Sequence, residues 1–160
     1  MLKKIVVALA IVLMSGMLHA EDSKSKNRVW VEQFYSEFMN KGEIKLLDKL
    51  VSDDYVEHEP IPEFELNKKG LTDYFKMMFV AFPDFRADID FMIEEKDRVV
   101  VYLTYKGTHK GDYMGAKGSG KKIEFKAVDI IKIKDGKMLE HWGVVDVLGM
   151  MEQLGLVGFK

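Results

Sequence analysis

The hydrophobic period of this chain changes once, at Pro83. Before it, apolar residues recur at helical spacing. After it they alternate, as they do in strands that bury one face. Trp30, Phe34 and Phe38 form an i, i+4, i+8 row, with Val31, Tyr35 and Met39 beside it, and Gly42 stops that helix. Ile44 to Val51 reads as a short second helix. Tyr55 to Glu59 reads as a short extended piece that Pro60 and Pro62 end. Asn67 can cap a third helix whose apolar face is Leu71, Tyr74, Phe75, Met78, Phe79 and Phe82. Four strands follow. The first, Phe85 to Ile93, places Phe85, Ala87, Ile89, Phe91 and Ile93 on one face. Val99 to Thr108 and Ile123 to Lys134 come next, and Met138 to Asp146 is the last, entered through the hairpin turn Asp135-Gly136. Val147 to Leu156 reads as a short C-terminal helix or turn. Helices first and hairpin-linked strands afterwards predict an α+β protein rather than an alternating βαβ fold. The expected shape is a cone: a curved antiparallel sheet wrapped around the N-terminal helices, with a pocket at the open end.

The N-terminus reads as an export signal over residues 1–20. Lys3 and Lys4 precede an unbroken apolar run from Ile5 to Met14, Ala20 offers a small residue at the cleavage point, and Glu21 and Asp22 turn the chain polar. The run is too short for a spanning helix, which needs about 20 apolar residues. The expectation is one domain over residues 21–160, periplasmic or secreted, with no membrane association after cleavage. Of the 160 residues none is cysteine, which removes disulfides, thiol catalysis and thiolate metal sites. The formal charge of −2 argues against a nucleic-acid partner.

After residue 20 the histidines are His58, His109 and His141, and none forms a local metal pattern, so no metal site is expected. The glycine-rich stretch Lys110 to Lys122 lacks the ending of a phosphate loop and reads as a hairpin end or as a lid over the cone. On the last strand Met138, Glu140, Trp142, Val144 and Asp146 share one parity. If that set faces inward, Trp142 and Asp146 enter one apolar space, where desolvation would tune the carboxylate toward acid–base work. Spacing serves equally well the reading in which Asp146 only caps the following helix. Gly143 could mark a bulge that changes the parity. His58, between Glu57 and Glu59 and three residues after Tyr55, reads either as an exposed strand end or as a pocket-rim imidazole. Asp129 interrupts an apolar strand and needs a partner if buried.

An ordered set of segments resembles the SnoaL-like polyketide cyclases, or ester cyclases, of the nuclear-transport-factor-2-like superfamily. The set comprises Tyr55-Val56-Glu57-His58-Glu59-Pro60, Phe82-Pro83-Asp84-Phe85, Gly107-Thr108-His109-Lys110-Gly111-Asp112-Tyr113-Met114-Gly115 and Gly120-Lys121-Lys122. Asp135-Gly136-Lys137, Glu140-His141-Trp142, Asp146 and Gln153-Leu154-Gly155-Leu156 complete it. The resemblance implies the same cone, and a cofactor-free enzyme closing a ring by intramolecular aldol chemistry on a small hydrophobic carbonyl compound. It implies one aspartate as proton acceptor and donor, matched by Asp146, with His58 assisting. Trp142, His109, Asp129 and Tyr55 are then the expected substrate-binding groups. The outer sheet face is where a second copy would pair as a homodimer. The competing expectation is a periplasmic ligand-binding protein without turnover. The position of the Asp146 carboxylate, on the cavity wall or capping the helix from Val147, separates the two.

Overall fold

The computed structural model describes residues 24–158; the leader expected over residues 1–20 lies outside them. Helix α1 (Lys26–Gln33) starts where Ser25 Oγ accepts the Arg28 N–H, a side-chain cap for an otherwise unpaired donor. Its continuation, Phe34–Met39, widens into a π turn. The extra width lets neighbours Phe34 and Tyr35, and Phe38 and Met39 after them, all be buried. After a 3-10 turn at Ile44–Leu46, α2 (Leu47–Leu50) leads directly into β1 (Val51–Glu57). Helix α3 (Lys68–Ala81) is capped by Asn67, whose side chain accepts the Gly70 N–H. Strands β2 (Arg86–Glu95), β3 (Arg98–Thr108), β4 (Lys122–Lys134) and β5 (Lys137–Val145) and the final helix α4 (Val147–Leu154) complete the chain.

The α+β cone read from the sequence is the fold observed. One five-stranded sheet has the order β1-β5-β4-β3-β2. The β2–β3, β3–β4 and β4–β5 pairs are antiparallel as expected. The sheet is nevertheless mixed, because β1 lies parallel to β5. Asp135 and Gly136, both at positive φ, make the tight β4–β5 turn. The helices cover the inner face, and the core runs from Trp30, Phe34 and Phe38 through Phe75 and Met78 to Val101, Leu103 and Ile131.

Two β-bulges decide which side chains face that core. In β2, Ile89 pairs with Leu103 but Phe91 pairs with Tyr102, so Asp90 is the extra residue. Beyond it the alternation reverses. Phe91 and Ile93, expected inside with Phe85, Ala87 and Ile89, stand 51% and 58% exposed on the outer face. In β5, Met138 pairs with Ile133 while Glu140 pairs with Lys132, leaving Leu139 unpaired. Met138 is buried, but the next inward side chain is His141, and Trp142 turns outward beside Ile130. One residue of slip exchanges the faces of a strand.

Candidate functional site

The cone encloses a cavity of about 550 Å³ between the π turn Phe34–Met39, α3, α4 and the inner sheet face. That volume lies within the usual range for a small-molecule site. Most of its wall is apolar: Phe34, Met39, Phe75, Met78, Phe85, Phe125, Ile131 and Met138 among others. The exposed apolar residues Met114, Val144, Val145 and Val147, with Pro60 and Pro62, ring its mouth.

A connected set of ionisable groups forms the floor. His141, inward-facing on β5, presents Nδ1 to Glu57 at the end of β1, at 3.0 Å from Oε1 and 2.9 Å from Oε2. Its Nε2 faces Asp129 Oδ1 from 3.6 Å, an ion-pair separation too long for a hydrogen bond. The other Asp129 oxygen accepts two phenol hydroxyls, Tyr35 at 2.6 Å and Tyr105 at 2.8 Å. Glu57 also accepts the Tyr55 hydroxyl at 2.6 Å and the Glu59 N–H at 3.2 Å. Five elements contribute: Tyr35 from the π turn, Tyr105 from β3, Asp129 from β4, His141 from β5, and Tyr55 and Glu57 from β1. Only the assembled cone brings them together.

The electrostatics follow from that geometry. Burial works against the imidazolium of His141, but the two flanking carboxylates outweigh it and lift its pKa to about 10. Burial likewise pushes Asp129 and Glu57 up. The His141 cation and the tyrosine hydroxyls outweigh this and hold both carboxyls below their ordinary values. The floor at neutral pH is therefore a cation between two anions. Tyr35 and Tyr105 are raised well above the usual phenol value by burial and by Asp129, so they stay protonated donors.

The six residues singled out from the sequence separate. Asp129 lines the cavity, as expected. Tyr55 is buried behind the wall and acts through Glu57. Asp146 is a correction. It is exposed, its Oδ1 accepts the Gly149 N–H at 2.9 Å, and it caps α4 without reaching the cavity. By the criterion set from the sequence, a capping Asp146 favours ligand binding without turnover, and an acid–base reading has to rest on other groups of the cavity. Trp142 and His58 are also corrected in position. Their rings stack on the outer sheet face, 4.3 Å apart and 2° from parallel. His58 Nε2 lies 2.9 Å from Glu140. The bulge at Leu139 is the reason for the Trp142 and Glu140 orientation. His109 is buried outside the cavity, stacked on Phe82, with Nδ1 3.1 Å from Ser119 Oγ. The groups that sequence reasoning missed are His141, Glu57, Tyr35 and Tyr105. The signal for His141 is a parity change within the last strand, which the sequence suggests at Gly143 and the structure places at Leu139.

No group of metal ligands is present among the described residues. No helix among them is long and apolar enough to cross a membrane.

A half-open α+β cone holding an acid–base cluster at the floor of an apolar cavity defines a class of small-molecule proteins. Within it, this chain belongs to the SnoaL-like polyketide cyclase family, whose model matches residues 29–154. TsrD from Streptomyces laurentii is similar at 26% identity over 84% of this chain and 98% of its own, with a TM-score of 0.75. A candidate polyketide cyclase from Acidithiobacillus ferrooxidans is 28% identical over 85% of this chain and 99% of its own, with a TM-score of 0.73. A SnoaL-like polyketide cyclase from Agrobacterium tumefaciens shares the fold at 20% identity, covering 82% of this chain and 99% of its own, with a TM-score of 0.65. Curated proteins give no match. Family and neighbours together support a cyclase-type function.

Proposed function

We propose that this protein is a cofactor-free acid–base enzyme of the cyclase, lyase or isomerase type, acting on a small hydrophobic carbonyl compound held in the cone. The observation that carries this reading is the uncommitted Asp129 Oδ1 facing His141 Nε2 across 3.6 Å at the cavity floor. A carbonyl compound seated there would offer its α-proton to Asp129 Oδ1 and its oxygen to the His141 N–H. The carbon–hydrogen electron pair moves into the carbonyl, and the resulting enolate oxygen is stabilised by a fixed cation, where such donors act most strongly. In a ring closure the enolate carbon then attacks a second carbonyl of the same molecule. The new alkoxide takes back the proton that Asp129 acquired, so atoms and charge balance. The apolar wall holds the two reacting carbons together, an effective-concentration effect. Glu57 and Tyr55 are positioning residues that fix the imidazole.

Deuterium exchange at the carbon between the carbonyls of ethyl benzoylacetate in heavy water tests the proposal without knowledge of the natural substrate. Catalysed exchange above the buffer rate is expected. A ligand that binds in the cavity without accelerated exchange would instead support the non-catalytic ligand-binding reading. Export is supported by the Lys3/Lys4 start and the apolar run that follows. Pairing of two copies is supported by the exposed apolar side chains of Phe91 and Ile93 on the outer face. N-terminal sequencing near Glu21 and sedimentation of the recovered protein check both. An intact Met1, or a monomer at micromolar concentration, would overturn the respective reading.

A further inference from the structure

Two phenol hydroxyls of the cavity take no part in the floor. Tyr74 on α3 and Tyr113 in the glycine-rich loop both line it, and neither hydroxyl has a hydrogen-bond partner among the described residues. Their rings are nevertheless held. Tyr74 packs edge-on against Phe64 and Phe75 at 5.6 and 5.3 Å. Tyr113 packs edge-on against Phe82 at 5.3 Å.

The loop that carries Tyr113 is built against the helix that carries Tyr74. The N–H groups of Lys110 and Gly111 donate to the Ala81 carbonyl at 2.8 and 3.1 Å. A Cβ on Gly111 would lie 2.4 Å from the Val80 carbonyl oxygen, so only glycine permits this approach. Tyr113 then exchanges backbone hydrogen bonds with Ala116, both 2.9 Å, around a tight turn in which Met114 and Gly115 have positive φ. The stretch that the sequence left open between a hairpin end and a lid thus fixes a tyrosine in the wall of the cavity that Tyr74 also lines. Burial, with Tyr113, Asp129 and Glu57 nearby, pushes the Tyr74 phenol up, and burial pushes Tyr113 up too, so both remain donors.

The charge of the lining adds a second constraint. Glu57, Glu59 and Asp129 line the cavity with His141, and no Lys or Arg does so among the described residues. A ligand carboxylate or phosphate would meet excess negative charge in a medium that screens it poorly.

We propose that Tyr74 and Tyr113 donate, as a polar anchor, to a ligand oxygen other than the one held by the Asp129–His141 pair, so that the cavity selects uncharged ligands with at least two oxygen acceptors and rejects anions. This rests on the reading of the cavity as the ligand site, and it needs no turnover.

Ligand-observed NMR titration of the purified protein tests it with three probes: ethyl benzoylacetate, the benzoylacetate anion and pentylbenzene. The ester is expected to bind about 10-fold or more tighter than the anion. Tyr74→Phe and Tyr113→Phe keep the rings and should each weaken the ester about 3- to 10-fold, the worth of one hydrogen bond. Pentylbenzene affinity should not change, which separates a lost hydroxyl from a damaged fold. Tyr102→Phe, on the outer face, is the control. Anion binding as tight as the ester, or ester affinity unmoved in both variants, overturns the anchor. Failure of all three probes to bind the wild-type protein overturns the anchor together with the ligand-site reading. Tyrosine-dependent ester binding without catalysed exchange leaves the anchor standing and overturns only the catalytic reading.

Discussion

Asp129→Asn is expected to lower catalysed exchange and turnover by about 100-fold or more, the usual worth of a positioned acid–base group. Asn keeps the size of the side chain and can still accept from Tyr35 and Tyr105, but it does not take up a proton. The fold should tolerate the change. Glu57 alone then balances the His141 cation, so no buried charge is left without a partner. Asp146→Asn is the matched control. Asn also caps helices well, and the side chain lies outside the cavity, so rate and melting temperature should stay near wild type. The comparison is made by exchange rate and thermal melting on both variants. If Asp146→Asn loses activity while Asp129→Asn retains it, the assignment to the cavity floor is wrong.

His141→Gln should have the largest effect on stability. It leaves Glu57 and Asp129, whose side chains are each 7% exposed, with no cation between them. Removing one partner of a buried ion pair typically costs about 3–5 kcal/mol. The loss relative to wild type should be greatest between the carboxyl range and pH 6.5, shrinking in acid as the stranded carboxyls protonate and shrinking toward pH 10 as wild type gives up its own imidazolium. Glu57→Gln in the same background should restore part of the stability by removing one of the two charges. Wild type behaves in the opposite sense at high pH. A histidine whose folded pKa is raised from 6.5 to about 10 contributes stability fully below 6.5, and this contribution disappears as pH rises through 10. The two lowered carboxyls contribute stability above their ordinary values and lose it as pH falls. Catalysis that needs the imidazolium should therefore be level through neutral pH and fall near pH 10, with no rise through 6.5. Chemical denaturation at pH 5, 8 and 10, with the exchange rate over the same range, checks these signs. Equal destabilisation of His141→Gln at every pH would show that packing, and not stranded charge, is what the imidazole supplies.

The residues by themselves determined most of the helix-then-strand order, because the change of period at Pro83 is a local signal; β1, a strand that begins at Val51 ahead of Pro83, is the departure that sheet pairing imposes. They also determined the cap at Asn67 and the turn at Asp135-Gly136, where side-chain and backbone chemistry act within a few positions, whereas the choice between cap and catalyst for Asp146 was made only by the tertiary structure. Asp129 was legible for a similar reason, since a carboxylate in an apolar strand demands partners wherever the strand goes. The rest of the site was decided in three dimensions. Residues that alternate along a strand keep their faces only while the register holds, and the single extra residues at Asp90 and Leu139 are set by pairing with β3 and β4. They moved Phe91, Ile93 and Trp142 outward and turned His141 inward. The parallel placement of β1 beside β5 then brought Glu57 to His141, residues 84 positions apart, into one buried ion pair. No local pattern encodes that contact, because its energy exists only once the sheet has closed around both charges and removed the water.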